Sequence, residues 1–232
     1  MKVVMDAFGG DNAPLAVLEG AASALKENPG LEIVLTGSEE VIRRCASEHG
    51  VDLSGIGIAE APLVMEMHDE AKSVIRAKRQ SSMGVGLDLV ANGEADVFIS
   101  AGPTGALLMG ATMIVKRIKH VDRPALGTVL PGMDGYTMII DCGANAECRP
   151  EMLRQFGVMG SIYMERVLGI EKPRVAVANI GAEDSKGTDL QKEAYALLKD
   201  EPRVNFVGNV EGRGLMMSEC DVAVCDGFTG NM

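Results

Sequence analysis

Short runs of Val, Ile and Leu alternate with longer stretches whose apolar residues return every three or four positions. The runs fit strands buried on both faces and the longer stretches fit amphipathic helices, so their alternation predicts βαβ units and a mainly parallel sheet. Strands are expected at 2–5, 32–35, 57–59, 97–100, 125–129, 137–141, 174–179, 205–208 and 222–225. Helices are expected at 16–26, with Val17, Leu18, Ala21, Ala22 and Leu25 on one stripe, and at 151–167, with Met152, Phe156, Met159, Ile162 and Tyr163. Residues 105–118 are apolar almost throughout their first two turns, which predicts a buried helix. Pro150 suits a first helical turn. The last strand runs into Asp226-Gly227-Phe228-Thr229-Gly230-Asn231, read as a loop with no helix to follow. The class this predicts is α/β, a three-layer α/β/α arrangement with a mainly parallel sheet. No repeat or linker divides it, so residues 1–232 are expected to form a single domain, or two closely packed lobes.

Composition narrows the function. The 232 residues are 47% apolar but only 3% aromatic, with 28 glycines and 15 methionines, as suits tight βα turns around an aliphatic and thioether core. A formal charge of -11 argues against a partner bound through its phosphate backbone, so no nucleic acid is expected. The five cysteines, Cys45, Cys142, Cys148, Cys220 and Cys225, are odd in number and lack zinc-knuckle spacing. They read as reduced thiols of a cytoplasmic protein. No apolar run reaches the length of a spanning helix, and His49, His68 and His120 share no spacing suited to a metal or a triad.

In open parallel sheets ligands gather outside the carboxyl ends of the strands, so the loops there carry the candidate chemistry. Asp6-Ala7-Phe8-Gly9-Gly10-Asp11-Asn12-Ala13-Pro14 pairs two glycines with a following helix, either to let an anion approach the backbone or simply to make a tight turn. Ser100-Ala101-Gly102-Pro103-Thr104-Gly105-Ala106 offers amides and two hydroxyls to a phosphate or carboxylate; close packing of helix on sheet is the other reading. The loop 141–148 sets Asn145 between the carboxylates of Asp141 and Glu147. The loop 179–187 brings Lys186 to a strand end, where it could neutralise a phosphate or an oxyanion, although solvent is the commoner place for a lysine. With 208–213, these five loops on one sheet edge point to one site. Arg76, Lys78 and Arg79 with Ser81 and Ser82 read either as a solvated helix face or as a site for an anionic substrate. No Gly-x-Ser-x-Gly elbow is present, so no acyl-serine mechanism is expected.

In order along the chain, Met5 to Pro14, Arg79-Gln80-Ser81-Ser82-Met83, Ser100 to Ala106, Asp122-Arg123-Pro124-Ala125, Gly143-Ala144-Asn145, Asn179-Ile180-Gly181, Lys186-Gly187, Gly208-Asn209-Val210-Glu211 and Asp226 to Asn231 form a specific set. Together they resemble the PlsX-type phosphate acyltransferases of bacteria. The resemblance implies transfer of a long fatty-acyl group from acyl carrier protein to inorganic phosphate, giving an acyl phosphate for phospholipid synthesis. It implies a fold similar to phosphotransacetylases and isocitrate-dehydrogenase-like enzymes, with no cofactor and no metal. It further implies a cytoplasmic homodimer that touches the inner face of the membrane peripherally. By the same resemblance, Lys186 and Asn231 are catalytic, the first stabilising phosphate or oxyanion charge and the second bonding the reacting carbonyl. Gly102, Thr104 and Gly105 form a phosphate cradle, and Asp11, Asn145, Arg79, Ser81, Ser82 and Asp226 are further substrate-binding candidates. Two positions depart from the family's pattern: Pro103 stands where asparagine is expected and Gly214 where aspartate is. Members of the family continue into further helices, so a missing C-terminal helical part is expected. Two rival readings remain. One is a metal-dependent dehydrogenase of the isocitrate-dehydrogenase-like fold, with Asp141, Glu147 and Asp226 as ligands. The other is a non-catalytic module that binds acyl carrier protein.

Overall fold

All nine expected strands form, yet on two sheets rather than one. A computed structural model describes residues Met1–Met232 and divides into two compact units, Met1–Ile118 and Lys119–Met232. The class is α/β with mainly parallel sheets. The loops expected along one sheet edge are therefore shared between two sheets: those after residues 6 and 99 belong to the first, and the others to the second.

In the first unit, β1 (Lys2–Asp6), β2 (Glu32–Gly37), β3 (Ile56–Glu60) and β4 (Val97–Ile99) lie in the order β3-β2-β1-β4, every pair parallel. The helices α1 (Leu15–Glu27) and α2 (Glu39–His49) bury Leu18, Ala21, Ile42 and Ala46 against Ile33 and Leu35. Ser38 starts α2 by accepting the Val41 N–H, and Gly50 ends it at φ 69°. A third helix, α3 (Ser82–Ala91), is capped by the fully buried Ser81, whose hydroxyl accepts the Gly84 N–H at 3.1 Å. It packs with α4 (Thr104–Gly110) through Met83, Leu87 and Ala106.

The stretch 105–118 departs from expectation. It is α-helical only to Gly110, continues as one π-helical turn over Ala111–Val115, and stops at Lys116 with φ 76°. Its buried residues are Ala106, Gly110 and Ile114, a single stripe four residues apart, whereas Met113 and Ile118 are exposed. A run apolar all round is thus buried along one side only.

In the second unit, β5 (Gly127–Gly132) pairs antiparallel with β6 (Gly135–Ile140). The strands β7 (Arg174–Ala178), β8 (Asn205–Val210) and β9 (Val222–Val224) complete the order β5-β6-β9-β7-β8, with the remaining pairs parallel. Alternation along β7 sends Val175 and Val177 to one core and Ala176 to another. The first core is closed by α5 (Pro150–Leu168) and α6 (Asp189–Lys199) through Leu153, Phe156, Ala194 and Leu198. The second core is covered by α7 (Gly212–Met216), with Leu215 packed against it.

The face α5 buries is not the one its large side chains suggest. Met152 and Phe156 are buried as expected, but Ile162 and Tyr163 are exposed, and the contact runs through Gly157 and Gly160. A Cβ on Gly157 would stand 2.7 Å from Leu198 and one on Gly160 2.6 Å from Val222. The helix sits on the sheet at glycine distance, and counting only apolar side chains rotates the predicted face. The segment after β9 also differs: Gly227–Gly230 make one helical turn, α8, capped by Asp226.

Candidate active site

The second unit carries both predicted catalytic residues, Lys186 and Asn231, together with Asn145 and Asp226, at the carboxyl ends of β6, β7 and β9, while the other seven predicted site residues lie in the first unit. Asp141 follows β6 and is fully buried. Its carboxylate accepts four bonds, from the N–H groups of Leu126, Ala144 and Asn145 and from Asn145 Nδ2, at 2.7–3.0 Å. A carboxylate held by that many donors is an organising centre rather than a free ligand. Asn145 is tied down with it: its Nδ2 also donates to the Pro124 carbonyl, and its own carbonyl accepts the Gly227 N–H. Asp226 caps α8 by accepting from both the N–H and the hydroxyl of Thr229, each at 2.9 Å. These bonds press 141–145 against 226–231 so closely that a Cβ on Gly227 would lie 2.9 Å from Asn145 backbone, and one on Gly230 would overlap the Asp141 carbonyl. Asn231 follows α8 and is exposed beside Gly143, where a Cβ would stand 3.6 Å from its Oδ1.

Lys186 sits in the loop between β7 and α6, exposed to solvent. Two asparagines at strand ends shape that loop. Asn179 Nδ2 donates to the Lys186 carbonyl at 3.1 Å while its Oδ1 accepts the Ile180 N–H, and Asn209 Nδ2, on β8, donates to the Glu183 carbonyl at 2.7 Å. Gly187, at φ 88°, lets the chain pass Asn179, whose Oδ1 would be 2.7 Å from any Cβ there. Sequence reasoning missed both asparagines as supports, because a side-chain-to-carbonyl bond leaves no periodic trace.

A pocket of about 600 Å³ opens between these loops, lined among others by Ile139, Asn179, Ile180, Thr188, Gly212, Leu215, Cys225, Thr229 and Met232. Cys225 is almost fully buried, its thiol donates to the Asp141 carbonyl at 3.3 Å, and burial foremost pushes its pKa up to about 12. Burial likewise raises Cys148 to about 11 and Cys220 to about 12, and all five cysteines are free thiols. No group of three or more His, Cys, Asp or Glu is placed to hold a metal ion. Of the three carboxylates offered to a metal, Asp141 and Asp226 are already committed to backbone donors.

In the first unit Asp6, at the end of β1, plays a part like that of Asp141. Its Oδ1 accepts the Phe8 N–H at 3.1 Å and its Oδ2 the Ser100 hydroxyl at 2.7 Å, while Ser100 Oγ accepts the Gly102 N–H at 3.0 Å. The loops after β1 and β4 are thereby locked together, and one hydroxyl and one amide of the phosphate-cradle candidates are engaged within the protein. Thr104 and Gly105 are exposed at the start of α4, and Asp11 is exposed after Gly10, which has φ 100°. The basic cluster lies in a turn ahead of α3 rather than on a helix face, and two of its three cations are paired within the protein. Arg79 forms a two-pronged ion pair with Asp88, and Lys78 binds Asp69 and the Val64 carbonyl. Ser82 is buried, its hydroxyl without a partner.

Residues 1–232 match a family described as fatty acid synthesis protein. A phosphate acyltransferase of Acetivibrio thermocellus is 47% identical over 232 residues, spanning all of this chain and 68% of its own length. One of Clostridium tetani is 46% identical over 231 residues, spanning 100% of this chain and 69% of that protein. The chain belongs to this family of phosphate acyltransferases. A phosphotransacetylase from Streptococcus pyogenes superposes with a TM-score of 0.74 at 18% identity, covering 100% of this chain and 79% of that one, a likeness of fold. Membership in the phosphate acyltransferase family makes the chain an enzyme that transfers an acyl group to phosphate. No helix is long and apolar enough to cross a membrane. At Gly214, where the family resemblance led us to expect aspartate, a Cβ would collide with the Glu219 carboxylate. A carboxylate thus stands at that place, supplied from five residues further on.

Proposed function

We propose that the enzyme transfers a long fatty-acyl group from acyl carrier protein to inorganic phosphate, with Lys186 and Asn231 at the reacting centre. The observation that carries this reading is that the loop of Lys186 and the turn before Asn231 border one pocket at the carboxyl ends of adjacent strands. In the reaction a phosphate oxygen attacks the thioester carbonyl carbon, the C–S bond breaks, and the sulfur leaves with the proton from phosphate. Acyl phosphate and free carrier thiol result, and the balance needs no redox partner. Such a step requires an oriented dianion and a donor for the carbonyl oxygen as it becomes negative. The ammonium of Lys186 supplies charge and the carboxamide of Asn231 a hydrogen bond. Thr104 and Gly105 are the phosphate-binding candidates with groups still open to solvent; Gly102 acts through the shape of its loop. Asp11, Arg79, Ser81 and Ser82 remain substrate-binding candidates, while Asn145 and Asp226 hold the loops of the centre in place. Homodimer formation and peripheral contact with the inner face of the membrane belong to the same reading.

The test is acyl phosphate formation from palmitoyl-acyl carrier protein and inorganic phosphate by the wild-type chain and by Lys186→Ala. Phosphate-dependent turnover is expected in the first. In the second, kcat should fall by about a hundred-fold or more, the scale for losing one preorganised stabiliser of a developing oxyanion. A Lys186→Ala protein with undiminished kcat would remove the lysine from the centre.

A further inference from the structure

We infer that the pocket enclosed by the second unit holds the acyl chain of the substrate, and that Gly212 sets how much chain it admits. The inference rests on the acyl-transfer reading of the same site. The pocket is about 600 Å³, within the range of cavities that enclose small organic ligands, and such cavities are mostly apolar with a few orienting polar groups. Ile139, Leu215 and Cys225 supply apolar wall, Ile180 and Met232 stand exposed at its margin, and Asn179 is a polar neighbour from the Lys186 loop. A phosphate dianion would lose its hydration there without a charge to replace it, so the apolar part of the substrate is the part this wall suits. The enzyme handles a molecule with one reactive end and one apolar tail. Here an apolar cavity opens beside the loops that carry the groups for the reactive end.

Gly212 lies on that wall as the first residue of α7. A Cβ built on it meets no atom within 4 Å, so a larger side chain fits there without moving the backbone and takes room from the pocket. Each methylene withdrawn from water is worth about a four-fold gain in affinity, so a pocket that admits fewer methylenes penalises long donors and spares short ones.

The experiment compares kcat/KM for octanoyl- and palmitoyl-acyl carrier protein in wild type, Gly212→Leu and Ile139→Phe, the last narrowing another wall. Displacement of a fluorescent fatty acid by unlabelled palmitate is measured on the same three proteins. Both variants are expected to lose about ten-fold or more on the palmitoyl donor while the octanoyl donor changes by less than about two-fold, and to bind the fluorescent fatty acid correspondingly more weakly. Equal losses on both donors, or no change in either, with probe binding unaltered, would overturn the inference and leave the pocket to another occupant, such as a protein segment. Should the wild type form no acyl phosphate from any donor, the acyl-transfer reading fails by itself. The probe arm still decides the pocket, since weaker binding in both variants supports it and unchanged binding refutes it.

Discussion

Asn179 and Asn209 each hold one carbonyl of the loop that carries Lys186, so the position of the ammonium depends on two side-chain amides. Replacing Asn209 with Leu removes the bond to the Glu183 carbonyl and leaves that loop one support short. Because a misplacement of about 1 Å at a reacting group can lower a rate by about a hundred-fold, we expect kcat to fall by about ten-fold with KM for the acyl donor little changed. The loss should be non-additive with Lys186→Ala: in a double-mutant cycle, a loss from Asn209→Leu that is just as large without the lysine would show that the asparagine acts elsewhere. The loop and its lysine could be read in the sequence as a strand-end segment with one cation among small residues. Its supports could not, nor could the role of Asp141, whose four donors come from three residues separated by up to 19 positions.

Among the elements, α5 makes the plainest case for distance deciding what side chains cannot. Alanine at Gly160 gains about 1 kcal/mol in helix propensity, but its Cβ would lie 2.6 Å from Val222 in a fully buried contact. Overpacking of that kind costs about 1–3 kcal/mol, so Gly160→Ala is expected to lower stability by about 1 kcal/mol, seen as a lower urea midpoint at unchanged slope. The strands were legible because buried parallel strands are written as β-branched runs, and α1 because its stripe is made of side chains. The seat of α5 is written in glycines, which a hydrophobic period does not register. A second tie on this helix joins Arg154 to the buried Glu201, which also pairs with Arg203. The hydrogen bonds from Arg203 foremost, and then Arg154, lower the Glu201 carboxyl from 4.5 to about 2. Because the folded value lies below the unfolded one, this stabilisation is complete at neutral pH and drains away as pH falls from about 4.5 through about 2. Glu201→Gln should therefore be less stable than wild type at pH 7, by about 2 kcal/mol for hydrogen bonds to a charged group, and the gap should narrow in denaturation curves taken toward pH 3.

For the molecule as a whole, each unit carries its own core: Leu18, Ile33, Leu35 and Ile42 in one, Phe156, Val175, Leu198 and Val224 in the other. Two separately packed units predict two cooperative melting events, so calorimetry should return an enthalpy larger than the van't Hoff value; equality of the two would mean that the chain melts as one. In the proposed reaction the apolar pocket of the second unit also meets a chemical hazard, a thioester brought within reach of a thiol. A cysteine sits on its wall, and a thiolate there would compete with phosphate for the acyl group and trap it on the protein. With its pKa at about 12, Cys225 exposes on the order of one thiolate in a hundred thousand at pH 7, and its proton points to the Asp141 carbonyl. The same buried backbone that shapes the loops around the pocket holds this sulfur's proton, so Cys225 is expected to resist alkylating reagents in the folded chain and to leave the acyl group to phosphate.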